Sequence, residues 1–105
     1  MNDNQKEILK KAIDKYGINN QIEMVIEECS ELIQAIQKVK REKFSIYLGM
    51  IPANKDVKIN MVYADLCGEV ADVKIMLAQL EIILNKEMID LCVERKIERL
   101  EKRLS

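Results

Sequence analysis

The stretch VKINMVYADLCGEVADVKIMLAQLEIIL, residues 57–84, decides the fold class. Val62, Leu66, Val73, Leu77, Leu80 and Leu84 recur on one helical stripe, and Ile75, Ala78 and Ile82 carry apolar character round much of the remaining circumference. A helix that is apolar on several sides has to be covered on several sides. It therefore belongs at the centre of a bundle.

The flanking residues supply candidates for that cover. Asn85 punctuates the pattern, after which Ile89, Val93, Ile97, Leu100 and Leu104 describe an amphipathic helix, its polar side supported by Glu98 and Lys102. Upstream, residues 41–56 break the periodicity with Gly49, Pro52 and Asn54 and read as a connector. Its Phe44, Ile46, Tyr47, Met50 and Ile51 need packing of their own, over a site or against another subunit. Before it, Asn20 with Glu23 reads as a capping box, and Ile22, Val25, Ile26, Cys29, Leu32, Ile33 and Ile36 form the stripe of a helix ending near Lys40. Asn4 with Glu7 reads as another, opening a first helix with Ile8, Leu9, Ala12, Ile13 and Tyr16 inward and Gly17 as its stop. The expectation is a single all-α domain over residues 1–105, a helical bundle of about four helices completed by oligomerisation, because a chain this short buries a modest core alone.

Composition agrees and narrows the function classes. Hydrophobic residues make up 49% and charged residues 33%, with three Gly, one Pro, one Phe and no Trp, which suits helices better than sheets and argues against disorder. A net charge of −1 gives no overall pull toward nucleic acid or a membrane surface, so neither is an expected partner. No basic-then-apolar leader opens the chain and no apolar run reaches spanning length, so the expected location is the cytoplasm. Cys29, Cys67 and Cys92 lie far apart in apolar helical stretches and read as reduced core residues. With no histidine in the chain and its cysteines far apart, a structural zinc site is not expected, and the usual Glu-x-x-His pairs of a di-iron bundle cannot be built.

The acids are more informative. Glu28-Cys29-Ser30-Glu31-Leu32 and Glu69-Val70-Ala71-Asp72-Val73 each place two carboxylates three residues apart on one helical face. Eighteen acidic residues generate such spacings by chance, usually on a solvated surface. Position on the helix separates these two. At about 100° per residue, Glu69 falls within the arc of Val62, Leu66, Val73 and Leu80, and Asp65 and Asp72 follow the same edge. Glu28 borders the apolar arc beside Leu32, with Glu31 further round and Glu27 nearer the polar side. Burying one unpaired carboxylate costs on the order of several kcal/mol, and several together repel one another. Lys74 projects away from Glu69, so a divalent cation is the economical remedy. An all-oxygen ligand set favours Mg²⁺, with Mn²⁺ able to substitute, and Mg²⁺ held by carboxylates commonly completes its shell with water and phosphate oxygens.

These residues also resemble a known family. EECSELIQAIQK, residues 27–38, and GEVADVKIMLAQL, residues 68–80, look like the two acidic signatures of the MazG-like, all-alpha nucleoside triphosphate pyrophosphohydrolases. The likeness extends loosely from Leu9 to Arg103. It implies that Glu28, Glu31, Glu69 and Asp72 ligate Mg²⁺, that Glu27 borders the site, and that Lys96 and Arg99 orient phosphates; Glu27, as the catalytic candidate, or a ligand carboxylate would accept a proton from water. Lys and Arg near a helix C-terminus are also ordinary surface residues favoured by the helix dipole. The implied reaction is hydrolysis of a nucleoside triphosphate to the monophosphate and pyrophosphate, in nucleotide-pool housekeeping, by a homodimer or homotetramer. Two departures stand out. The interval between Glu31 and Glu69 is long for such a family, which makes residues 41–56 a lid or an oligomer contact. Gly68 replaces an acid that often precedes the second signature, which either reduces the number of metal ions held or moves that task to Asp65. The rival expectation is an inactive helical-bundle partner descended from such an enzyme.

Overall fold

The computed structural model describes residues 1–41 and 57–105, with four helices and no strand among them. They are α1 (Asp3–Tyr16), α2 (Ile18–Arg41), α3 (Val57–Ile83) and α4 (Lys86–Leu104). The all-α architecture expected from the periodicity is present. The connector expected over residues 41–56 lies outside the described residues beyond Arg41, as do the roles expected of it.

Local chemistry sets the boundaries. Asn2 caps α1: its side chain accepts from the Gln5 backbone N–H at 2.8 Å, and the Gln5 side chain accepts from the Asn2 backbone N–H at 3.0 Å. The box therefore opens two residues earlier than the expected Asn4–Glu7 pair. Both pairs fit the pattern, and once a helix is nucleated each further residue adds a hydrogen bond, so the earlier cap wins. Gly17 ends α1 at φ +87° and ψ 152°, a region essentially reserved for glycine, and its N–H donates to the Ile13 carbonyl at 2.9 Å. The turn is so tight that α2 starts at Ile18 and not beyond Asn20. Asn20 consequently sits inside the first turn, where its Nδ2 donates to the Tyr16 carbonyl at 2.7 Å. Asn85 caps α4 by accepting from the Met88 N–H at 3.0 Å, as its punctuating position suggests.

The core is built by α2 against α3, with α1 laid across both. Leu9 and Ile13 of α1, Val39 of α2, and Val62, Val73 and Met76 of α3 are its buried apolar side chains. On α2, Val25, Cys29 and Leu32 are half-buried while Ile22, Ile26, Ile33 and Ile36 face outward, so the single stripe read from the sequence is two faces. On α3 Leu77, and just past its end Leu84, likewise lie outside the buried arc. No described side chain is wholly enclosed.

α4 has no buried residue, and beyond half-buried Ile89 its stripe is left uncovered by the described residues: Ile97 is 57% and Leu104 79% exposed. The radius of gyration, 16.9 Å, exceeds the roughly 13 Å of a compact domain this long. Cys67 and Cys92 lie on these uncovered faces and are exposed, which corrects the expectation that all three cysteines are core residues. No described helix is long and apolar enough to cross a membrane.

Candidate functional site

The groove between α2 and α3 gathers the acids. Glu28 from α2 and Glu69 and Asp72 from α3 bring one carboxylate oxygen each within 4.8 Å of one another. Glu28 and Glu69 are half-buried and Asp72 is exposed, so the group has a dry side and a wet side. The helical period produces this. Glu69 stands seven residues after buried Val62 and four before buried Val73, which turns it into the interface, while Asp72 is carried to the rim.

Glu31 belongs to the same group electrostatically. Partial burial, followed by the charges of Glu31 and Asp72, raises the Glu28 carboxyl above its ordinary value, and hydrogen bonding to Glu31 and the charge of Glu69 raise it further. Glu69 is raised by partial burial first and then by Glu31 and Asp72, with Asp65 adding its charge. The Oε2 atoms of Glu28 and Glu69 are buried and accept no hydrogen bond from the described residues. Among those residues no lysine or arginine pairs with any of the four carboxylates; the described ion pairs are the peripheral Lys10–Glu7 at 3.9 Å and Lys86–Asp90 at 2.7 Å. Three hard oxygen donors within 4.8 Å of one another, with Glu31 beside them and two buried oxygen atoms left without a donor among the described residues, fit a divalent cation such as Mg²⁺.

Glu27 is exposed, on the same turn as Glu28 but outside the trio. Asp65 is exposed and borders, with Glu31 and Glu69, a cleft of about 360 Å³ next to the acids. Lys38 and Arg41 border this cleft as well, seven and ten residues beyond Glu31 on α2. They are cations beside the acids, in the last turns of α2, and the sequence reading assigned neither a role. The seven-residue interval from Glu31, two turns on one face, is the signal that finds Lys38. Lys96 and Arg99 are placed elsewhere: with Lys102 and Arg103 they form a basic patch bordered by α4 side chains alone.

On the other side of the acids the groove opens into a second cleft, of about 630 Å³, between α1, α2 and α3. Gln21, Met24, Met76 and Gln79 are among its walls. Gln21 and Gln79 are the two buried polar side chains among the described residues, and the sequence reading named neither.

No family model matches the chain, and neither a curated protein nor a solved structure does.

Proposed function

We propose that the protein hydrolyses a nucleoside triphosphate to the nucleoside monophosphate and pyrophosphate, with Mg²⁺ or Mn²⁺ as cofactor. The observation that carries this reading is the meeting of Glu28, Glu69 and Asp72 oxygens within 4.8 Å, two of the three carboxylates half-buried and none paired with a base among the described residues. The resemblance of residues 27–38 and 68–80 to MazG-like pyrophosphohydrolases supports it from the sequence side.

In this reading Glu28, Glu31, Glu69 and Asp72 hold the cation. A cation held by them would supply activation of water and neutralisation of charge on the phosphate oxygens. The half-buried side of the group keeps bulk water from the inner oxygens, which strengthens their hold on a cation. Glu27, on the exposed side of the same α2 turn, takes the proton that water gives up on attacking phosphorus, and the P–O bond to the leaving phosphate breaks. Lys38 and Arg41 donate charge-assisted hydrogen bonds to the phosphate chain from their end of the groove. Lys96 and Arg99 join that task when the α4 of a second copy closes over the site, in a homodimer or homotetramer. A second copy suits α4 for two reasons: its apolar stripe is uncovered, and its basic patch complements the acidic groove. We place the protein in the cytoplasm, where nucleotide pools are.

The test is a panel of natural and damaged nucleoside triphosphates with Mg²⁺, products resolved by ion-exchange chromatography. The expected products are a monophosphate and pyrophosphate in equal amounts, lost in EDTA and in Glu28→Gln. Release of orthophosphate alone, or no turnover with any member of the panel, overturns the reading.

A further inference from the structure

We propose that the cleft lined by Gln21, Met24, Met76 and Gln79 seats a nucleobase, with the carboxamide of Gln79 reading an N–H on the base edge. The direction assigned to the substrate, base toward this cleft and phosphates toward Lys38, rests on the hydrolase reading above. The base seat itself rests on the cleft.

Three observations converge on it. The first is the environment of Gln79. It is 5% exposed, lines the cleft, and its Oε1 is buried without a hydrogen-bond donor among the described residues. A buried carboxamide oxygen is nearly always satisfied, so one that the fold leaves unpaired beside an open cleft suits a donor from outside. The last torsion of glutamine is broad and two-fold, so the amide can turn Oε1 toward the cleft when an N–H arrives. Gln21, 6% exposed, adds a second donor-and-acceptor group to the same walls.

The second is the rest of the lining. Ala12, Met24, Ile75 and Met76 supply apolar surface, Tyr16, Asn20 and Glu23 border it with polar groups, and the volume of about 630 Å³ falls in the range of small-molecule sites. A few polar groups in an apolar wall suit a flat, neutral heterocycle with polar edges. Polarizable methionine sulfur makes favourable contacts with aromatic rings, and the cleft is lined by two such residues, Met24 and Met76.

The third is register. Met24 and Gln21 stand four and seven residues before Glu28 on α2, and Met76 and Gln79 stand four and seven after Asp72 on α3. Steps of four and seven stay on one helical face, so the cleft continues the groove that holds the acids. Seven residues span about 10 Å, the scale of the distance from a nucleotide's first phosphate to the far edge of its base. Lys38 lies in the opposite direction from the acids, on the same groove. A nucleotide laid along it therefore has its base, its reacting phosphate and its leaving phosphates each opposite a group of matching chemistry.

The experiment uses the full chain with ¹³C-methyl methionine and titrates in unphosphorylated nucleosides, with ribose as the control. At least one nucleoside is expected to shift the Met24 and Met76 methyl signals while leaving Met61 and Met88 in place. Ribose is expected to shift none. Gln79→Met, which keeps the length of the side chain, is expected to weaken that nucleoside at least tenfold. If no nucleoside moves Met24 and Met76, or Gln79→Met binds as tightly as the parent, the proposal is overturned. Nucleosides carry no phosphate and need no cation, so the outcome is independent of turnover. Nucleoside binding without pyrophosphate release removes the hydrolase reading and leaves the base seat standing. Pyrophosphate release without nucleoside-induced shifts does the reverse.

Discussion

Glu28 on α2 and Glu69 on α3 bring carboxylate oxygens within 4.8 Å of each other across the helix pair, and each keeps its Oε2 buried without a hydrogen-bond donor among the described residues. Two like charges at that distance in a half-buried groove are unfavourable for the fold and favourable for a cation. Ligands of this kind commonly cost stability in the free protein and return it when the ligand binds.

Stabilisation by Mg²⁺ follows. Melting followed by circular dichroism is expected to show Tm rising with Mg²⁺ concentration, because the cation binds the folded state in preference to the unfolded one. Glu28→Ala and Asp72→Ala are expected to keep the helical signal and lose both the Mg²⁺ response and turnover. Full activity in both variants removes the proposed centre.

The two basic groups can be told apart. Lys38 borders the cleft beside Glu31, Asp65 and Glu69, whereas Lys96 stands in a patch made by α4 alone. Losing one charge-assisted hydrogen bond to phosphate costs about tenfold to hundredfold in binding. Lys38→Gln is therefore expected to raise KM by that factor in any assembly. Lys96→Gln is expected to do so only where a second copy is bound, so dilution below the assembly's dissociation constant should erase the difference between Lys96→Gln and the parent. An unchanged KM in Lys38→Gln places the phosphate end away from that cleft.

Assembly is itself measurable. Met88, Val93, Ile97, Leu100 and Leu104 lie exposed along α4, and each aliphatic side chain fully covered at an interface adds about 1.5–3 kcal/mol. Light scattering at micromolar concentration is expected to report a dimer or tetramer for the parent and a smaller species for Ile97→Asp. Since Ile97 is already exposed within one chain, the substitution should leave helical content unchanged. A monomeric parent contradicts the proposed assembly.

The helices were legible because periodicity survives in a single sequence, and Gly17 and Asn85 mark corners by backbone chemistry that local pattern reveals. What was not legible is which apolar face a chain keeps for itself. α2 carries a broad apolar arc, and only the packed pair shows that Val25, Cys29 and Leu32 turn toward the core while Ile26 and Ile33 face outward. The acids were found because charge inside an apolar arc is anomalous. Gln21 and Gln79 were missed because a lone neutral amide is not, and their significance depends on a cleft that exists only after α1 crosses α2 and α3. Gly17 offers a check on the local reasoning: a Cβ there meets no atom within 4 Å, so Gly17→Ala isolates the backbone cost at φ +87°, expected at about 1–3 kcal/mol by denaturant unfolding.

Glu69→Gln brings these strands of electrostatics to one position. The Glu69 carboxyl is raised above its ordinary value of 4.5 by partial burial and by its acidic neighbours, so between that value and its folded-state value the native chain binds more protons than the unfolded one. Stability from this group is fully present below 4.5 and is lost as pH rises through the folded value. Above 4.5 the metal-free parent therefore loses stability to ionisation of this group, a loss that the non-titrating amide avoids at nearly constant volume. Glu69→Gln is expected to melt higher than the parent in EDTA near neutral pH, with the gap narrowing as pH falls toward 4.5. In Mg²⁺ the order should reverse or close, because the variant has lost one ligand, and turnover should fall with it. A variant that melts lower in EDTA and keeps its full Mg²⁺ response would make Glu69 a structural acceptor and leave the second ligand pair unsupported.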